Sequence, residues 1–333
     1  MLLRLFKGTG PGVILLIIIT LAVVWIGTFL SVPAGVVPAD PANQMPLYGL
    51  LLRVIGDNPY PGVIFSFSMA AVMSLIITHF NTTIFFINER TYLPALIYIL
   101  FGGILPQYQL LNPVLPASFF LMMALMKVMS CYRKQGLAYS FFDAGLLIGT
   151  GSLFYADLIW YGLLLLIGIA ILRTFNIGEI IISLLGLITP YIITFGLYYV
   201  MGKDIIALLS LVISNLFDKP ETYVFSRMAI VSLAFACIIM IVSLIYLSML
   251  MSTKKIQSRK TFFLLMWVFL ISLGIYFALP SATAGIIWLI SIPASYFMTH
   301  YFVFVKKKLV PEIFFSVFFI LVLLIQIKMW FPH

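Results

Sequence analysis

The sequence predicts an all-α polytopic transmembrane bundle of about eleven spans, and three observations carry that expectation. Hydrophobic residues make up 63% of the 333 positions and charged residues 9%, against roughly 25% charged in soluble domains. The apolar residues are gathered into runs near the ~20 residues that a helix needs to cross the hydrocarbon core. Lysine and arginine cluster in alternate loops between those runs, the pattern that sets membrane orientation.

The first run, 12–32, follows Arg4 and Lys7. Its length and the poor cleavage site at Pro38-Ala39-Asp40 read as a retained helix rather than a removed signal. The segment 33–61 holds five prolines before Tyr60, so it cannot form one helix. Its middle, 46–55, is short and amphipathic and is expected to lie along the membrane interface. A second span covers 62–87 and ends at Glu89 and Arg90. Two short runs follow, 92–106 and 113–130, joined by PQYQLLN; the first is too short for a perpendicular span.

Beyond the basic loop CYRKQG lie 140–155 and 158–172, with Gly145, Gly149, Gly151 and Ser152 between Asp143 and Asp157. Small residues let helices approach closely, and acids inside spans face protein or water rather than lipid. The stretch 88–161 therefore reads as the packed centre, with a cavity opening on one side. The next span is 180–200, where Pro190 is expected to introduce a kink. The loop that follows carries a second amphipathic run, DIIALLSLVISNLF. Spans at 228–251, 261–279, 282–304 and 310–330 complete the chain, with a minimal turn at Pro280-Ser281. Neither a soluble linker nor an internal repeat is evident, so residues 1–333 read as one transmembrane domain.

Eleven spans with the N-terminus inside place 14 of the 19 basic residues on the inner side. Arg53, Lys203, Lys219, Arg227 and Lys328 fall outside. The net charge of +9 is thus accounted for by topology, and nucleic acid is not an expected partner. The lysine runs at 254–260 and 306–308 read first as topology anchors and second as holders of anionic lipid headgroups.

No phosphate loop, G-x-S-x-G, H-E-x-x-H or paired cysteines occur, and no cofactor or metal is expected. Cys131 and Cys237 are far apart in the sequence, while His79, His300 and His333 are expected as satisfied or solvated imidazoles. Only ten acids exist. Asp40, Asp57 and Asp157 map to the outer side, with Arg53 and Tyr48 beside the first two. A carboxylate facing an arginine at a membrane surface can serve as general base and anion holder; the alternative is a solvated loop with an ion pair. Asp143 is expected to pair with Arg133 or Lys134, and Glu179 with Arg173.

The motifs PLYGLLLR…NPYPG, NERTYLPA, LPQYQLLNP, FDAGLLIGTGSLFY and LLGLITPY resemble an uncharacterised family of Bacteroidota inner-membrane proteins over about residues 45–200. More distantly, the same region is similar to the membrane core of GT-C-type glycosyltransferases, which use polyprenyl-phosphate sugars. The resemblance implies a GT-C-like core at 1–200 followed by C-terminal helices at 201–333, in a bacterial inner membrane with a cytoplasmic N-terminus. It implies Asp40 as the catalytic base and Arg53, Tyr48, Asp57 and Asp157 as substrate-binding residues, acting on a polyprenyl-phosphate-linked sugar at the outer face. PQYQLLN lacks the second acidic motif common in that group, so no metal is assigned. The rival readings are a non-enzymatic subunit of a cell-envelope assembly or secretion complex, with envelope protein partners, and, third, a transporter.

Overall fold

The computed structural model describes residues 2–30, 44–56, 58–84, 86–132, 138–172, 177–219, 225–306 and 309–330. These residues form helices and connections with no strand. A short α1 (Leu2–Phe6) is followed by α2 (Pro11–Leu30), α3 (Pro46–Ile55), α4 (Pro59–Ile84), α5 (Leu93–Ile104), α6 (Val114–Ser130) and α7 (Ala138–Ser152). Then come α8 (Gly162–Leu172), α9 (Ile177–Val200), α10 (Ile205–Phe217), α11 (Arg227–Leu250), α12 (Ile256–Ala278), α13 (Ile287–Phe304) and α14 (Leu309–Trp330).

Among the described residues seven helices are long and apolar enough to cross a bilayer: α2, α4, α9, α11 with its 3-10 extension, α12, α13 with its 3-10 lead-in, and α14. The chain is a membrane protein by this criterion. The expected runs at 92–106, 113–130, 140–155 and 158–172 are helical but shorter. At 1.5 Å per residue, the 12 residues of α5 extend only ~18 Å, against a hydrocarbon core of ~30 Å.

The core is built on two helices that are buried all round. Every residue of α5 is buried, and in α13 all but Ile290 and Phe304 are. A helix apolar on all faces has no solvent or lipid side and belongs at the centre. The two meet at Gly102, where an added Cβ would stand 2.2 Å from the Trp288 ring. Trp25 of α2 and Tyr98 of α5 close around the same indole, with ring centroids at 6.0 and 5.5 Å.

The tightest helix crossing is between α7 and α9. Cβ atoms added at Gly145, Gly149 or Gly186 would lie 2.3 Å from the carbonyl oxygens of Ser183, Leu187 and Phe142, respectively. The small residues predicted to allow close approach therefore bring backbone against backbone. Pro190 sits inside α9 as expected, and its ring lies 3.1 Å from the Cβ position of Gly149.

Asp143 pairs with Lys127 at 2.9 Å; its expected partners, Arg133 and Lys134, lie outside the described residues. α6 and α7 run antiparallel, which sets Lys127 opposite Asp143. The expectation for His300 needs correction. His300 is fully buried one turn inside α13 and neither ring nitrogen has a hydrogen-bond partner. Phe262, Phe304 and Tyr246 enclose it, with ring centroids at 5.4, 4.9 and 6.1 Å.

Candidate functional site at the Ser281 end

The end of the bundle carrying Ser281 collects several buried polar groups, among them Gln109, Asn112, Ser152 and Asp157. There α7 stops at Ser152, and a 3-10 segment, Ala156–Tyr161, intervenes before α8. Helices broken in this way free backbone groups, which membrane proteins tolerate only where protein or a cavity surrounds them. Asp157 lies at the start of the break and is fully buried. The Ser281 hydroxyl donates to Asp157 Oδ1 at 2.9 Å. The other carboxylate oxygen has no hydrogen-bond partner, and neither has the buried Tyr155 hydroxyl. That hydroxyl is nonetheless close enough to interact with the carboxylate.

Further bonds fix the frame around this carboxylate. Tyr161 and Ser272 hydroxyls share a hydrogen bond of 2.6 Å, tying the break to α12. Ser152 and Tyr191 hydroxyls are 2.8 Å apart, tying the end of α7 to α9. PQYQLLN, carrying a 3-10 turn at Pro106–Gln109, packs beside them. Trp288 Nε1 donates to Tyr108 O at 3.0 Å, and Gln109 bonds both Gly102 O and the Thr28 hydroxyl. Asn112 Oδ1 accepts from the Val114 and Leu115 amides and so caps α6, the role that favours Asn at helix starts.

Beside this frame opens an apolar groove of about 300 Å³. Phe101 of α5, Cys237 and Met240 of α11, Phe269 of α12 and Ala294 of α13 line it. The turn that carries Ser281 to Asp157 also supplies Ala284 and Ile286 to the groove wall. The Asp157 carboxylate takes its hydrogen bond from Ser281 with the Tyr155 hydroxyl beside it, and the groove can accommodate a hydrocarbon chain.

Among the described residues, Tyr48, Arg53 and Asp157 share no hydrogen bond or ion pair. Asp40 and Asp57 lie outside the described residues. Tyr48 is buried and its hydroxyl donates to Leu111 O at 3.2 Å, so it acts as a strut from α3 to the 106–112 loop. Burial pushes that phenol well above its ordinary pKa. Arg53, five residues on and turned away from Tyr48, is exposed. Asp157 is the one predicted residue that occupies a buried polar site among the described residues.

The two amphipathic runs form short helices, α3 and α10, as their patterning predicted. Both reach the break: Leu47 N donates to Leu153 O at 3.1 Å, and Met45, Leu153 and Ala156 form a small cluster with Val212 and Leu216 of α10. Ser281 and Tyr155 were not foreseen. Ser281 adjoins Pro280 between two apolar runs, a pattern that reads as turn chemistry alone.

No three His, Cys, Asp or Glu side chains among the described residues group as metal ligands. Neither the curated proteins nor the solved structures contain a match to this chain. A match does extend over residues 46–330, nearly the whole of the described bundle, and by it the chain belongs to a family of unknown function, DUF6427.

Proposed function

We propose that this membrane protein binds a lipid with a long apolar chain, the chain in the groove between α5, α11, α12 and α13 and the head group at the Ser281 end. The observation that carries the reading is the groove itself. Its wall is almost wholly apolar, and it shares a turn with the buried Asp157 carboxylate, which Ser281 holds by a hydrogen bond. Its volume of about 300 Å³ is at the lower end of small-molecule sites, enough for part of one chain. The expected substrate is a polyprenyl-phosphate-linked sugar or glycan, handled as in GT-C-type enzymes. Asp157 then accepts a sugar hydroxyl and Asp40 serves as base. Arg53, exposed on α3, is free to meet the phosphate, and Arg227 at the start of α11, two residues from groove-lining Phe225, is a second cation for it.

Orientation belongs to the same reading. Arg4, Lys7, Arg90, Lys127, Lys254, Lys255, Arg259, Lys260 and Lys306 all lie towards the end opposite Ser281, and the positive-inside rule supports a cytoplasmic side for that end. The short helices α5 to α8 would then be four thin or re-entrant passes, giving eleven in all. The scaffold alternative draws on α9, whose apolar face of Ile181, Leu185, Ile188 and Ile192 is exposed.

Native mass spectrometry of the purified full chain tests the reading. Wild type should retain an isoprenoid phosphate, and Ala236→Phe or Ala294→Phe, which fill the groove, should lose it. Retention by both variants at wild-type levels would overturn the assignment. Asp157→Asn should keep the lipid but fail to complement a deletion strain, which separates head-group chemistry from chain binding.

A further inference from the structure

At the end opposite Ser281, the first turns of α12 carry Arg259, Phe263 and Trp267 at i, i+4 and i+8, one stripe on one helix face. Lys260 stands beside Arg259. Ile171 of α8 and Ile256 complete a crevice of about 500 Å³ against this stripe. Phe263 and Trp267 are exposed, while Arg259 and Lys260 are half-buried.

Among the described residues no carboxylate neutralises the charges in this crevice. Lys127–Asp143 is an ion pair of the described residues, and it does not involve α12. Neither Arg259 nor Lys260 has a carboxylate partner among those residues. Lys260 rests over the Tyr132 ring, 5.5 Å from the centroid, which steadies its stem and leaves its ammonium donors available. The amides of the first turn of α12 have no helical acceptor and point to the same end.

We propose that this crevice binds an anionic glycerophospholipid, its phosphodiester held by Arg259 and Lys260 and one acyl chain lying along Phe263 to Trp267. Arg259 to Trp267 spans ~12 Å of helix, the depth over which a phospholipid passes from phosphate to the upper acyl chain. A soluble phosphate would use the two cations and leave the aromatic stripe idle. A zwitterionic headgroup would bring its own ammonium against two cations that no carboxylate of the described residues pairs with. The guanidinium suits a phosphodiester through paired N–H donors, and an exposed tryptophan is at home at the boundary between headgroup and chain.

Native mass spectrometry of the full chain in detergent, titrated with phosphatidylglycerol or with phosphatidylcholine of the same chains, tests this. Phosphatidylglycerol should bind in preference, and Arg259→Gln or Lys260→Gln should each weaken it about fivefold, the double variant more. Trp267→Ala should weaken both lipids alike. Lys306→Gln, a change of charge at the same end but off the crevice, should leave binding unchanged. The preference of wild type should decline as salt rises, a measurement that needs no variant. Equal binding of the two lipids, wild-type binding by the double variant, or competition by millimolar inorganic phosphate would overturn the proposal; the last would show a simple anion site.

Discussion

Alanine at Gly186 would place a methyl group 2.3 Å from the Phe142 carbonyl oxygen and 3.0 Å from Phe142 Cα. Ordinary contact begins near 3.4 Å, so α7 and α9 must separate by about 1 Å at their crossing, and neither neighbour is a side chain that can rotate away. Overpacking of this kind costs ~1–3 kcal/mol. Gly145 meets the backbone of Ser183, Gly186 and Leu187 at the same crossing. Once one methyl has opened the gap, the second enters part of the same space, so Gly145→Ala with Gly186→Ala should cost less than the two singly.

The assay uses the protein's own thiols. Cys131 is buried and Cys237 exposed, so in a Cys237→Ser background a thiol-reactive dye reports unfolding through Cys131. Both single variants should melt several degrees below that background. Gly196→Ala and Gly274→Ala, where an added Cβ meets nothing within 4 Å, should melt at or slightly above it, because alanine favours a helix interior by up to ~1 kcal/mol. A Gly186→Ala protein that melts like the background, or strict additivity of the pair, would refute the backbone-to-backbone account of this crossing.

Gly102→Ala drives a methyl into the Trp288 ring and should destabilise by ~1–3 kcal/mol, with a change in tryptophan emission as the indole leaves Tyr108 O. Ser281→Ala removes the one hydrogen bond to Asp157 Oδ1 and should cost ~1–3 kcal/mol in the same melt. Lys127 and Asp143 are each 45% exposed, so a double-mutant cycle should return no more than ~1 kcal/mol. Arg53→Ala should leave the melting point unchanged, since Arg53 is exposed; a fall would assign it a packing role and remove it from the phosphate site.

Composition and period alone determined that this is an all-helical membrane protein, and the helix limits follow the apolar runs closely because lipid leaves a backbone no other local choice than to bond to itself. The small residues Gly145, Gly149, Gly151 and Ser152 likewise announced a close approach, since absent side chains are visible in any sequence, whereas Gly186 on the facing helix emerged only from the packing. Which partner each residue meets was a tertiary matter. Asp157 and Ser281 are separated by 124 positions, and the pairing depends on where the α12–α13 turn docks against the break after α7. Tyr48 and Arg53 share a helix, yet packing on α4 and the 106–112 loop buries one and exposes the other. Lys127, 16 positions away, pairs with Asp143 for the same reason: antiparallel packing of α6 on α7 sets the register. The groove has no linear signature at all, because its wall is drawn from four helices whose inward faces are apolar whether they enclose a space or fill it.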